Sequence, residues 1–161
     1  MRSPRAVLTA LIVAGLLVVS APAAASAATG EDEVDPTIAQ MLDEIPGGVL
    51  IDAHRAVWPA LDMEVTVPSV LGGFAARAAV GSCANGRICA YSNGSLSGTT
   101  VTWGTCGTLT VPTGFVPRSF ANARSSGYAQ ARNSAGGVLA TANAGAWANV
   151  GGTAKTVRCV L

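Results

Sequence analysis

Downstream of Gly81, short apolar or threonine-rich runs recur with Gly, Asn and Ser between them, at residues 87–91, 99–103, 108–111, 137–141 and 156–160. Spacings of about ten residues with turn residues in between are those of an all-β sandwich or barrel. Within the runs Thr alternates with Val, Leu and Trp, which gives a strand one wet and one dry face. Upstream the period changes. Asp35-Pro36-Thr37 has the form of a helix start, an N-cap acceptor with Pro at the first helical position. Ile38, Met41, Leu42 and Ile45 then fall on one helical face, and Pro46-Gly47-Gly48 ends it. Residues 49–51 and 63–67 read as strands, with residues 58–62 turning the chain between them. The pattern therefore predicts a mostly β protein: a β sandwich in the carboxyl-terminal half, preceded by a small helix-plus-hairpin segment.

A second layer of organisation comes from the ends of these patterns. Arg2 and Arg5 precede an unbroken apolar-to-small run from Ala6 to Val19, and Ala25-Ser26-Ala27 follows. That is the form of a signal peptide with an A-x-A cleavage site, and the run falls short of the roughly 20 residues that span hydrocarbon. The expected division is a signal peptide at 1–27, an acidic accessory or pro-segment at 28–67, a small-residue linker at 68–80 and a β domain at 81–161. The expected location is extracellular, with no membrane span after cleavage. A faint repeat relates Ile88-Cys89-Ala90-Tyr91, followed by Gly98, to Val138-Leu139-Ala140-Thr141, followed by Gly145. Its offset of about fifty residues suits one four-stranded unit.

Charge changes the picture further. All nine carboxylates lie at or before Glu64, and from Cys83 onward the ionisable residues other than Tyr and Cys are Arg87, Arg118, Arg124, Arg132, Lys155 and Arg158. The net charge of +1 hides two opposed segments, whose fields can steer them together although salt screens exposed charges beyond about 8–10 Å. A half without Asp or Glu cannot build from its own residues a carboxylate acid/base pair, a calcium cage or a carboxylate-oriented catalytic His. The single His54, between Asp52 and Arg55 on an expected strand, has no nucleophile motif near it. No enzymatic activity and no cofactor are expected.

The four cysteines Cys83, Cys89, Cys106 and Cys159 are an even set, which in an exported chain reads as two disulfides. No C-x-x-C pair is present, so a metal site is not expected. Three connectivities are open and the sequence does not select one; the preferred pairs are Cys83–Cys89 and Cys106–Cys159.

The stretch from Cys83 to Tyr91, then Leu96-Ser97-Gly98, then residues 122–126, resembles the peptidase inhibitor I36 family. These are secreted actinobacterial proteins whose founding type is a Streptomyces metalloproteinase inhibitor with a βγ-crystallin-like Greek-key fold. The resemblance covers residues 81–161 and implies that fold, with Tyr91, Leu96 and Gly98 as its aromatic corner. A ring then packs over a tight hairpin whose glycine takes a conformation other residues disfavour. Asn122, Ser125 and Ser126 match the loop that binds calcium in some crystallin-superfamily members. Here Ala121 stands at the first ligand position and Arg124 adds a cation, so Ser125 and Ser126 are expected to hydrogen-bond within the loop instead.

The resemblance implies a protease inhibitor, with an extracellular protease as partner. Such a protein needs a loop held in its bound shape. Two candidates stand out: Thr105-Cys106-Gly107-Thr108, at the base of a disulfide, and residues 112–117, where two prolines flank an exposed-looking Phe115. The alternative is a basic structural or antimicrobial module on an anionic surface, using Arg118, Arg124 and Arg132 interleaved with Phe120 and Tyr128. Nucleic acid is not an expected partner.

Overall fold

The computed structural model describes residues 33–69 and 78–161. The expected signal peptide, residues 28–32 and residues 70–77 of the expected linker lie outside the described residues. The chain is mostly β, with two antiparallel sheets and one α-helix.

Helix α1 spans Pro36–Glu44, and the Asp35 carboxylate accepts the Thr37 N–H at 2.7 Å, capping its first turn. Ile38 and Met41 are buried, with Leu42 and Ile45 half-buried beside them. After the helix, β1 (Val49–Asp52) and β2 (Arg55–Trp58) form a hairpin. A 3₁₀ turn at Pro59–Leu61 then leads into β3 (Met63–Thr66). The segment expected as one hairpin thus contains an extra strand. β2 buries Ala56 and Trp58 on one face, so its alternation rests partly on an alanine, which carries little hydrophobic signal. His54 sits in the β1–β2 turn rather than on a strand, and its N–H donates to Asp52 Oδ1 at 2.9 Å.

β4 (Ala78–Val80) pairs with β5 (Cys83–Ala84) as a small separate ribbon. Eight strands follow: β6 (Ile88–Asn93), β7 (Ser97–Trp103), β8 (Thr108–Thr110), β9 (Ser119–Asn122), β10 (Tyr128–Arg132), β11 (Val138–Asn143), β12 (Ala146–Asn149) and β13 (Thr156–Val160). The seven-stranded sheet runs β1-β2-β3-β7-β6-β9-β12, and the four-stranded sheet runs β11-β10-β13-β8.

These orders contain a repeat. In β6–β9 the second, first and fourth strands lie side by side, and the third, β8, belongs to the other sheet. In β10–β13 the arrangement is identical, and its third strand, β12, joins the first sheet. The two four-strand units therefore exchange their third strands. In this arrangement β6 corresponds to β10, so Ile88 and Ala90, which face the main core, are matched by Ala129 and Ala131 and not by the β11 residue Val138. The offset is nearer forty residues than the fifty that the Ala and Gly match suggested.

β3 pairs with β7 through Met63↔Trp103 to Thr66↔Thr100, which makes residues 49–66 a three-strand extension of the first unit's sheet. One continuous apolar cluster joins Ile38, Met41, Trp58 and Val65 to Ile88, Val101, Trp103 and Phe120 of that sheet, and to Leu109, Ala129 and Val157 of the other. The seven-stranded sheet is also covered on its outer face at β6. There Cys89 and Tyr91 alternate with Ile88 and Ala90 and meet Val80, Cys83, Ala121 and Ala123 in a second cluster. The disulfides join Cys83 to Cys89 and Cys106 to Cys159. No helix among the described residues is long and apolar enough to cross a membrane.

Candidate functional site

A cleft of about 640 Å³ opens where the acidic and basic halves meet. One wall is the 3₁₀ turn Pro59–Leu61 with Asp62 and Met63; the other is β8 and the chain running on to Thr113, with Trp103 and Thr105 at one end. Leu61 on this wall is exposed, an apolar side chain that the described residues do not cover.

The segment from Thr105 to Thr108 forms a lip of this cleft. Cys106 is bonded to Cys159 on β13, and the Cys159 N–H donates to the Gly107 carbonyl at 2.7 Å. Gly107 adopts φ of 138°, a conformation that other residues rarely take. Thr105 and Thr108 are exposed on either side. This candidate loop is thus rigid at its centre and open at its flanks.

The second candidate loop is built differently from the expectation. Phe115 is buried at 4% exposure and belongs to the main core, while Val116 beside it is exposed. The Phe115 N–H donates to the Pro112 carbonyl at 3.0 Å, so the loop turns back and carries the ring inward. Its tip is gripped from α1: the Glu44 carboxylate accepts the N–H groups of Thr113 and, at 3.1 Å, Gly114. Burial pushes the Glu44 carboxyl upward, but the Thr113 and Gly114 hydrogen bonds and nearby Lys155 outweigh it and hold the group below the usual carboxylate range.

Asp62 supplies the second link between the halves. Its carboxylate meets Arg87 at 2.7 Å across Gly104, where a Cβ would lie 1.9 Å from Asp62 Oδ2. The Gly104 N–H donates to the Asp62 carbonyl, and Arg124 donates to the carbonyls of Gly104 and Gly86. Arg124 therefore stitches loops together. Arg132 donates to Gln130, and Phe120 is fully buried. The interleaved basic and aromatic set thus leaves Arg118 and Tyr128 exposed, with Lys155 and Arg158 as further exposed cations.

The expected corner residues come together at the β6–β7 turn. Tyr91 is fully buried with Leu96 packed in the same cluster. Gly98 has φ of 82°, and a Cβ there would lie 2.3 Å from Ser92 Oγ. Ser95 and Leu96 are both left-handed, and the buried Ser119 hydroxyl accepts the Leu96 N–H at 2.9 Å while donating to Asn93. Burial raises the Tyr91 phenol above its ordinary range, although the Ser82 hydroxyl donates to it. In the other motif Asn122 is buried, accepts the Arg124 N–H and donates to the Ala142 carbonyl. Ser125 and Ser126 are exposed, so Asn122 and not the serines supplies the loop's side-chain hydrogen bond.

The sequence signalled Glu44 and Asp62 only indirectly, through the opposed charge of the two segments, and gave no site signal for Leu61 or Trp103. The chain matches no family model, no curated protein and no solved structure.

Proposed function

We propose that this is an extracellular protease inhibitor of the I36 type on a βγ-crystallin-like Greek-key scaffold, acting by contact and not by turnover. The exchange of third strands between two four-strand units supports the scaffold reading. Two disulfides support an oxidising compartment. The observation that carries the functional reading is the exposed 105–108 lip, fixed to β13 by Cys106–Cys159 and set beside a concave, partly apolar cleft. A loop ordered before binding loses little conformational entropy on docking, which is what an inhibitor needs.

The test is a titration of the mature chain against a panel of metallo- and serine proteases. Stoichiometric inhibition of at least one is expected, weakened at least about tenfold when Cys106 and Cys159 are both replaced by Ser. No inhibition across the panel would overturn the reading. If salt-sensitive retention on an anionic matrix appeared instead, the exposed Arg118, Lys155 and Arg158 would favour the surface-binding alternative.

A further inference from the structure

Among the described residues, no strand pairs with the side of β8 turned away from β13. β8 ends the four-stranded sheet, and its register with β13 is Thr108↔Arg158, Leu109↔Val157 and Thr110↔Thr156. The flanking hydrogen bonds fix which backbone groups face which way: Gly107 C=O accepts from Cys159, and Val111 N–H donates to Lys155 C=O. In an antiparallel pair the direction alternates with every residue, so residues 107, 109 and 111 face β13. Thr108 and Thr110 direct their N–H and C=O groups the other way. All of β8 lines the cleft and no residue of β13 does, so that open side borders the cleft. Pro112 has no N–H and ends the edge.

We infer that the β8 edge binds an extended polypeptide segment by strand addition, its backbone pairing with Thr108 and Thr110 while alternate side chains enter the cleft. The backbone pattern selects the ligand class: four groups on two alternate residues, about 6.6–6.8 Å apart, match an antiparallel strand. The cleft selects among side chains. Its floor includes Leu109, Met63 and Trp103, and its ionisable lining among the described residues is Glu44 and Asp62, which already hold the Thr113 and Gly114 N–H groups and Arg87 and offer their remaining lone pairs to a basic side chain. A segment alternating an apolar residue with a basic one satisfies both. This inference deepens the inhibitor reading by naming how a protease, or another polypeptide, would be held.

The test uses the intact mature chain and a capped six-residue peptide of alternating Val and Lys, followed by amide chemical shifts. Saturable shifts centred on Thr108 and Thr110 are expected. Two changes should each weaken binding at least about tenfold: N-methylation of alternate peptide amides, and Thr110→Pro, which removes one cleft-facing N–H and spares the bonds to β13. A Val and Glu peptide should bind more weakly than the Lys form. Equal binding of the N-methylated peptide, or shifts elsewhere, would overturn the inference even if Thr110→Pro failed to fold. So would self-association of the pure chain that Thr110→Pro abolished, since the occupant would then be a second copy. Protease inhibition run in parallel separates the two proposals. Peptide binding without inhibition sinks the inhibitor reading alone, and inhibition without peptide binding sinks strand addition alone.

Discussion

Glu44 ends α1, where a carboxylate meets the negative end of the helix dipole and costs stability. The position makes sense through what the side chain holds, the two N–H groups at the tip of the 112–117 loop. Because these donors lower its pKa, the folded state favours the charged form. The grip is therefore complete above the ordinary carboxylate pKa and is lost as pH falls through the lowered folded value. The Thr113 and Gly114 amide resonances should titrate with a midpoint below the ordinary carboxylate value. In Glu44→Gln that titration should vanish, and a midpoint at or above the ordinary value would contradict the clamp. Such a pairing was beyond sequence reading, since Glu44 and Thr113 are joined only by the fold. Phe115 misled for a related reason: two flanking prolines suggested a displayed ring, and the turn closed by Pro112 C=O sends it inward.

Among the elements, the junction of β3 with β7 decides how the halves are held. Two kinds of contact cross it. The Asp62–Arg87 pair has side chains 47% and 40% exposed, and exposed pairs contribute about 0–1 kcal/mol. Trp103, 3% exposed and paired with Met63 across the junction, is worth about 3–5 kcal/mol against Ala. Burial wins. Chemical denaturation should therefore show Trp103→Ala losing several kcal/mol and Arg87→Gln losing less than about 1 kcal/mol; the reverse ranking would contradict the junction described. The legible strands were the short apolar or Thr-rich runs set between turn residues, which correspond to β6, β7, β8, β11 and β13. β10 and β12 were missed because their inward positions are alanine, Ala129 and Ala131 fully buried and Ala148 half-buried, and alanine is poor in strand signal; β9 was missed because buried Ser119 and Asn122 flank its only large apolar residue, Phe120. β1 was legible as a strand, but its side chains are not core: Val49, Leu50 and Ile51 are 51%, 43% and 46% exposed on the sheet's edge.

For the whole molecule, the charge asymmetry read from the sequence acquires a structural counterpart. The acidic segment contributes three strands, a helix and one wall of the cleft, and its carboxylates meet Arg87 and the 113–114 amides of the basic half. Composition marked the two segments as different, but it carried no information on their pairing, because β3–β7 register is set by Val65, Met63 and Trp103 packing in one core. Sharing one sheet and one apolar cluster, residues 33–67 and 83–161 should fold as one unit and build the cleft together. Native-state hydrogen exchange on the intact chain decides whether they do. Amides of β2 and β3 should open with the same free energy as those of β6 and β7, and should follow them equally on addition of denaturant. If β2 and β3 exchanged through a separate, much cheaper opening while β6 and β7 stayed protected, the acidic segment would be an appendage and the two would not be one folding unit.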